Sequence, residues 1–349
     1  MVRALQIALA HSLVAYYIQH MHKRKGNDSK VPTVELFAGA GLLAHAFQTA
    51  GAETLLAVEA DPQARATLQR NINPAAIGID AREVLKGLQA DLLIGGPPCQ
   101  GFSSLGKRDA LDARNSLSMV MVPWARELQP KVVVIENVPQ FLESAYWPKL
   151  QKEFLRMGYS STSWVLNASD FGAPQLRRRA FAVFSKIGLP VAPEPTCTTP
   201  MTVRQAFAGL PSKPSSKLQH LAPTPGDLAL SRFKLIPPGG DKRDLLRRAP
   251  ELCPPSWGRI PNQATDVWGR MLWDEPANTL RCCFQSASKG RYIHPRLNRV
   301  ISLREGARLQ GVPDDWVFEG DPTHVARQIG NGVPVPLGRA VAIQVMSLF

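Results

Sequence analysis

The chain has 349 residues, enough for one large domain or two moderate ones around a sizeable core. Hydrophobic residues make up 44%, and no run of about 20 apolar residues occurs, so nothing reads as a membrane span. The 41 basic and 28 acidic residues leave a net charge of +13, a balance that favours a polyanionic partner such as nucleic acid.

In the first 30 residues, the apolar stretch 1–21 is interrupted by Gln6, His11, Ser12 and Gln19, and His22-Lys23-Arg24-Lys25 follows. A secretory signal carries its charge before the apolar run, so this segment reads as an amphipathic helix ending in a basic turn, either packed on the main domain or binding a partner. Residues 31–37 read as a buried strand, 43–50 as a helix and 54–58 as a second strand. Strand 91–94 leads into Gly95-Gly96-Pro97-Pro98, and strand 132–135 into Glu136-Asn137. This alternation predicts a doubly wound sheet with its ligand site at the carboxyl ends of the strands. From about 188 to 291 proline and basic residues dominate and the rhythm is lost, which marks a second, irregular domain. Helical periodicity returns over 303–309, and a last helix begins near 337. The five cysteines (Cys99, Cys197, Cys253, Cys282 and Cys283) are odd in number and form no CxxC pair. Reduced cytoplasmic thiols are therefore expected, with neither a disulfide framework nor a metal site.

Phe37-Ala38-Gly39-Ala40-Gly41 stands between the first strand and helix, and Glu59 closes the next strand about twenty residues on. Glycines there admit a ligand close to the backbone, and a carboxylate takes ribose hydroxyls; this is the layout of an adenosine-binding turn. The third glycine of a dinucleotide fingerprint is missing, because Leu42 and Leu43 follow Gly41. A pyrophosphate would be poorly held, so S-adenosyl-L-methionine, which has no phosphate, is favoured over a nicotinamide cofactor. Asp80 reads either as an acceptor for the adenine amine or as a cap before Arg82.

Gly95-Gly96-Pro97-Pro98-Cys99-Gln100-Gly101-Phe102-Ser103 is the sharpest feature. Two prolines stiffen the backbone ahead of Cys99, and Gly101 frees the loop behind it. A thiolate in such a turn is exposed and aimed at a ligand. Glu136 ends an apolar strand, and partial desolvation there suits it to proton donation. In Gln175-Leu176-Arg177-Arg178-Arg179, strand alternation puts Arg177 and Arg179 on one face, able to steady a carboxylate, a base oxygen or a phosphate.

Taken in order, these motifs resemble those of the bacterial DNA (cytosine-5)-methyltransferase family over residues 31–345, apart from the central region. FAGAG resembles the first motif, GGPPCQGFS the catalytic loop, Glu136-Asn137-Val138 the ENV motif, and Gln175, Arg177 and Arg179 the QxRxR motif. Residues 304–310 with Pro313-Asp314-Asp315 look like the ninth motif, and residues 328–334 like the tenth. The resemblance implies an α/β, Rossmann-like, S-adenosylmethionine-dependent methyltransferase fold with an inserted smaller target-recognition domain. It implies Cys99 as nucleophile, with Glu136, Arg177 and Arg179 as its catalytic partners. The implied cofactor pocket comprises Phe37, Ala38, Gly39, Gly41, Leu42, Glu59, Ala60, Asp80, Pro98, Leu117, Asn331 and Val333. Leu42, Gly306 and Gly332 depart from the residues usual in the family.

The implied chemistry is addition of the Cys99 thiolate to cytosine C6 while Glu136 supports protonation at N3, so that C5 becomes nucleophilic and takes the methyl group. The base must first leave the duplex. Gln100, Ser103, Lys107 and Arg108 are expected on DNA, the last two at phosphates. Arg243, Arg270, Arg281, Gln285, Ser286, Lys289 and Arg291 are the candidate base readers. The expected division is an N-terminal helix and linker (1–30), a catalytic domain (31–187), a target-recognition domain (188–291) and a returning segment (292–349). Duplex DNA is the expected partner, with a cognate restriction endonuclease acting on the same site as a second. Two other readings are a tRNA methyltransferase, whose characteristic Cys-Phe-Thr is absent here, and a silent DNA-binding regulator, which an intact Cys99, Glu136 and Arg177 oppose.

Overall fold

A computed structural model of the chain describes residues 30–72, 75–77, 79–98, 113–259 and 261–349. Two compact units divide them. The first comprises residues 30–167, Arg178–Pro195 and Val335–Phe349, and the second Ala168–Arg177 and Thr196–Pro334.

In the first unit the chain runs β1 (Val31–Leu36), α1 (Leu42–Gln48), β2 (Ala52–Val58), α2 (Pro62–Ile72), β3 (Ala75–Ile77) and β4 (Leu92–Gly95). A 3-10 stretch (Ala113–Val120), α3 (Met121–Leu128), β5 (Val132–Asn137), α4 (Tyr146–Arg156), β6 (Ser160–Asn167) and β7 (Arg178–Ser185) follow. The seven strands form one sheet in the order β3-β2-β1-β4-β5-β7-β6. Pairings among β1 to β5 are parallel, and those of β7 with β5 and β6 are antiparallel. Every residue of β4 and β5 is buried, as central parallel strands covered on both faces require, and this is why Val132–Ile135 is a continuous apolar run. One face packs Val34, Leu36, Leu93, Val133 and Ile135 with Met121, Trp124, Phe141, Phe154 and Phe184. Phe154 stacks on Phe184 at 4.0 Å between ring centroids. The residues between β5 and β7 gave no strand signal in the sequence. The strand that forms there, β6 (SSTSWVLN), is a partly exposed edge without an apolar face, so it lacks the alternation that marks a half-buried strand.

The second unit is built from short helices: α5 (Val203–Ala206), α6 (Asp227–Leu235), α7 (Lys242–Arg248), α8 (Pro255–Arg259), α9 (Leu303–Leu309) and α10 (Pro322–Asn331). Phe233, Ile236, Leu245, Trp268, Ile293 and Val300 form one of its cores. The final helix, α11 (Val335–Met346), belongs to the first unit and packs against α1.

A buried polar network sits at the start of α9. Ser302 Oγ accepts from Glu305 N–H (3.0 Å), and Glu305 Oε2 accepts from Ser302 N–H (2.7 Å), a capping box. Arg299 donates to both Glu305 oxygens at 2.7 Å. His294 Nδ1 accepts from the N–H groups of Arg296 (3.1 Å) and Leu297 (3.0 Å), so that nitrogen carries no proton. Burial pushes the His294 pKa down to about 4 from an ordinary 6.5. Between these values the unfolded chain takes up a proton that the folded one refuses. The contribution is therefore complete above pH 6.5 and is lost as pH falls toward 4, by up to about 3 kcal/mol. Urea midpoints measured across that window should fall steadily with pH; a flat profile would show that His294 is not held neutral.

Candidate active site

The turn after β1 carries backbone strain. Phe37 has a left-handed φ of 57°, which a bulky side chain adopts only when its surroundings impose it. Its ring packs on the edge of the main core, as does Leu117. Gly39 follows with φ 55°, and a Cβ there would meet nothing within 4 Å, which leaves open space against the backbone. At Gly41 a Cβ would lie 2.8 Å from Leu68 Cδ1, so α2 packs here only against a glycine. Ala38 and Leu42 are buried.

Glu59, just past β2, reaches into this turn. Its Oε2 accepts from Gly39 N–H and its Oε1 from Asp61 N–H, each at 2.7 Å. Burial raises the Glu59 carboxyl above its ordinary value, while the Asp61 and Gly39 N–H groups pull it down. Each oxygen keeps a lone pair beyond the one that holds the turn. These residues fit the nucleoside end of S-adenosylmethionine: a pinned carboxylate for the ribose hydroxyls, open space beside Gly39, and no nest for a pyrophosphate. Glu59→Ala should raise the apparent KM for the methyl donor by about 10- to 150-fold, the equivalent of about 1.5–3 kcal/mol, with the KM for DNA little changed. Steady-state kinetics with each substrate varied will test this, and an unchanged donor KM would move the ribose contact elsewhere.

Ala60 is exposed next to Glu59. Asp80 is held locally: Arg82 Nε donates to its Oδ1 and Oδ2 (2.9 and 3.0 Å), and Arg82 N–H donates to Oδ1 (2.9 Å). Of the two roles read for Asp80, the turn cap before Arg82 is the one whose hydrogen bonds are seen. Glu35, a residue the sequence reading passed over, is buried on β1 and bonds the N–H of Ala44 in α1, whose own N-cap, Gly41, has no side chain. Its Oε2 has no hydrogen-bond partner, and burial holds its pKa well above the usual carboxylate range. A lone acid inside an otherwise apolar strand was the available signal.

At the carboxyl ends of β4 and β5, Glu136 and Asn137 lie beside the Pro-Pro turn. Arg179 Nε pairs with Glu136 Oε1 at 2.9 Å, with both side chains largely buried. Glu136 Oε2 lies 3.2 Å from where a Cβ on Gly96 would sit, so the missing side chain makes room for the carboxylate. Asn137 Nδ2 donates to the Pro97 carbonyl (3.2 Å), tying the end of β5 to the turn. Pro97 is buried and Pro98 half-buried. Cys99, with Gln100, Ser103, Lys107 and Arg108, lies outside the described residues.

Arg177 does not share a strand face with Arg179, because β7 begins at Arg178. It belongs to the second unit, where it is buried and donates to the carbonyls of Leu280 (2.7 Å), Gly330 (2.9 Å) and Gly332 (3.2 Å). Gln175 works beside it: its Nε2 donates to Leu309 O and Gln310 Oε1, both at 3.0 Å, and its Oε1 accepts from Leu280 N–H (2.7 Å). A Cβ on Gly330 would meet the backbone of residues 281–282 within 2.6 Å, so α10 needs a glycine there. Asn331 ends α10 and accepts from Cys282 Sγ (2.7 Å), and Val333 is buried just beyond. Gly306, a departure from the family pattern, faces Phe284, whose ring would lie 2.5 Å from a Cβ at that position.

The expected base readers fare unequally. Arg270 is buried and donates to the carbonyls of Phe233, Ile236, His294 and Leu297 and to Asn298, so it holds the unit together and faces no groove. Arg291 donates to the carbonyls of Gly239, Gly240 and Arg270 and approaches Asp241, which also pairs with Arg243. Arg281 bridges Asp266 and the Lys289 carbonyl. Gln285 donates to Leu221 O, and Ser286 bonds Ser288. Lys289 stays exposed. Among the described residues no group of His, Cys, Asp or Glu is placed to hold a metal ion, and no helix is long and apolar enough to cross a membrane.

A mostly parallel sheet with a nucleoside turn after β1, a ribose-type acid after β2 and a paired carboxylate beside the β4 turn defines a Rossmann-like methyltransferase. A profile of the C-5 cytosine-specific DNA methylases matches residues 31–347, and the chain belongs to that family. It is 34% identical over 359 residues to the type II methyltransferase M.XorII of Xanthomonas oryzae pv. oryzae, covering 90% of this chain and 84% of the relative. With the type II methyltransferase M1.HphI of Haemophilus parahaemolyticus it shares 31% over 335 residues, covering 90% and 86%. The crystal structure of a prophage-encoded protein from E. coli, described as a DNA modification methyltransferase, superposes with a TM-score of 0.66 at 27% identity, covering 91% and 99%. The Entamoeba histolytica methyltransferase EhMeth shares the fold, with a TM-score of 0.64 at 14% identity over 91% of this chain and 97% of that one.

Proposed function

We propose that this chain transfers a methyl group from S-adenosyl-L-methionine to C5 of a cytosine flipped out of a specific duplex DNA site, with Cys99 as the covalent nucleophile. The observation that carries this reading is the Glu136 carboxylate, paired with Arg179 and lodged against Gly96, immediately before the Pro-Pro turn that leads into Cys99. Glu136, oriented by Arg179, holds a proton at cytosine N3. Cys99 adds to C6, C5 takes the methyl group with S-adenosylhomocysteine as the leaving group, and loss of the C5 proton to solvent then expels the thiolate; Asn137 fixes the turn from which Cys99 acts. The cofactor, when bound, supplies an electrophilic methyl group. Phe37, Gly39 and Glu59 hold its nucleoside end. Target reading falls to the second unit, with Lys289 as an exposed cation on it. The action is cytoplasmic, and a cognate restriction endonuclease shares the site, as the type II names of the relatives suggest. A tRNA substrate is not favoured, because the matching family is described as DNA methylases and the prophage-encoded neighbour as a DNA modification methyltransferase.

Tritium transfer from labelled donor to duplex DNA and to tRNA, followed by methylation-sensitive sequencing of the DNA, tests the reading. The expected result is 5-methylcytosine at one recurring duplex sequence. Label confined to tRNA, or none in either, would overturn it.

A further inference from the structure

Every functional group placed so far in the first unit lies at the carboxyl ends of the parallel strands. At their amino ends Ile187, Leu189, Ile343 and Phe349 are 39%, 45%, 43% and 42% exposed. They lie along one continuous path. β7 runs antiparallel to β5, so Ser185 pairs with Val132 and residues 186–189 emerge at the amino end of the sheet. A Cβ on Gly188 would lie 3.9 Å from Leu348, and one on Gly51 would lie 3.6 Å from Met346. Ile343 and Met346 are three apart on α11 and share a face. Lys131 sits over the Phe349 ring. Grouped apolar side chains exposed in this way mark a docking surface, whereas scattered ones need no explanation.

The chain itself leads to this surface. Residues 1–29 lie outside the described part and join it at exposed Lys30. The next residue, Val31, donates its N–H to Gly51 O (3.1 Å), the same Gly51 that borders Met346. In that segment Val2, Leu5, Leu9, Leu13 and Tyr16 recur at helical spacing, and His22-Lys23-Arg24-Lys25 follows. Residues 22–30 can span at most about 30 Å, and a helix over residues 2–21 would be about 30 Å long, so the apolar stripe reaches any point of the patch. We propose that residues 1–21 of the same chain dock by this stripe over Ile187, Leu189, Ile343, Met346, Leu348 and Phe349, at the amino end of the parallel strands, opposite the catalytic end. This inference is independent of the methylation reading.

Hydrogen exchange of the full-length chain tests it. Amides of residues 2–21 should exchange about tenfold or more slowly than in a free peptide of that sequence, at all protein concentrations. Leu189→Asp with Ile343→Asp should remove that protection. The reciprocal variant, Leu5→Asp with Leu9→Asp, leaves the described unit untouched and should speed exchange at residues 187–189 and 343–349. Three results would each overturn the proposal: residues 2–21 exchanging like the free peptide in the wild type, protection that survives both variants, or protection that appears only at concentrations where the chain elutes as a dimer. The last would make a second copy the occupant.

Discussion

Cys99→Ser should abolish methyl transfer, lowering kcat on the order of a thousandfold or more, while S-adenosylmethionine binding stays near the wild-type level. A serine hydroxyl is not ionised at neutral pH and is a far weaker nucleophile toward C6 than a thiolate. The cofactor-holding groups are elsewhere: Gly39 and Glu59 make their contacts within the turns after β1 and β2, and neither bond passes through the Cys99 loop. Tritium transfer to duplex DNA and calorimetric titration with the donor should therefore diverge. A variant that keeps full activity would rule out the covalent route, and one that loses both readouts together would place Cys99 in the cofactor pocket.

Arg177→Ala should act first on stability. Three carbonyls, those of Leu280, Gly330 and Gly332, would lose a charged donor inside a buried region, at a cost of about 3–5 kcal/mol. For a unit of this size that lowers Tm by about 10 °C. Arg179→Ala, which breaks the pair with Glu136, should instead lower kcat with a smaller change in Tm. Thermal unfolding and single-turnover rates measured on both variants separate the roles. An Arg177→Ala protein with unchanged Tm and a collapsed rate would return that residue to the chemistry.

Much of the first unit was legible in the sequence because its signals are local. A continuous apolar run such as Val132–Ile135 can only be a buried strand, and a glycine turn between strand and helix forms from its own backbone preferences. The expected strands lie within two residues of those observed, and Glu59 and Glu136 sit where strand ends put them. The edge strand β6 carried no such pattern, and the second unit, whose helices run from four to ten residues, shows no periodicity long enough to read.

The sequence by itself thus determined the strands β1, β2, β4 and β5, the cofactor turn and the order of motifs around the Pro-Pro turn. Only the tertiary structure decided what each arginine does. Arg177 meets carbonyls 103 and 153 residues away, and Arg270 fills its guanidinium with backbone oxygens from four separate residues. The alternation of Arg177 with Arg179 had suggested a catalytic face, and the place of Arg270 in the basic central region a DNA reader. Spacing reports which face of a strand a side chain leaves from, whereas burial obliges it to satisfy whatever polar groups the distant chain brings there.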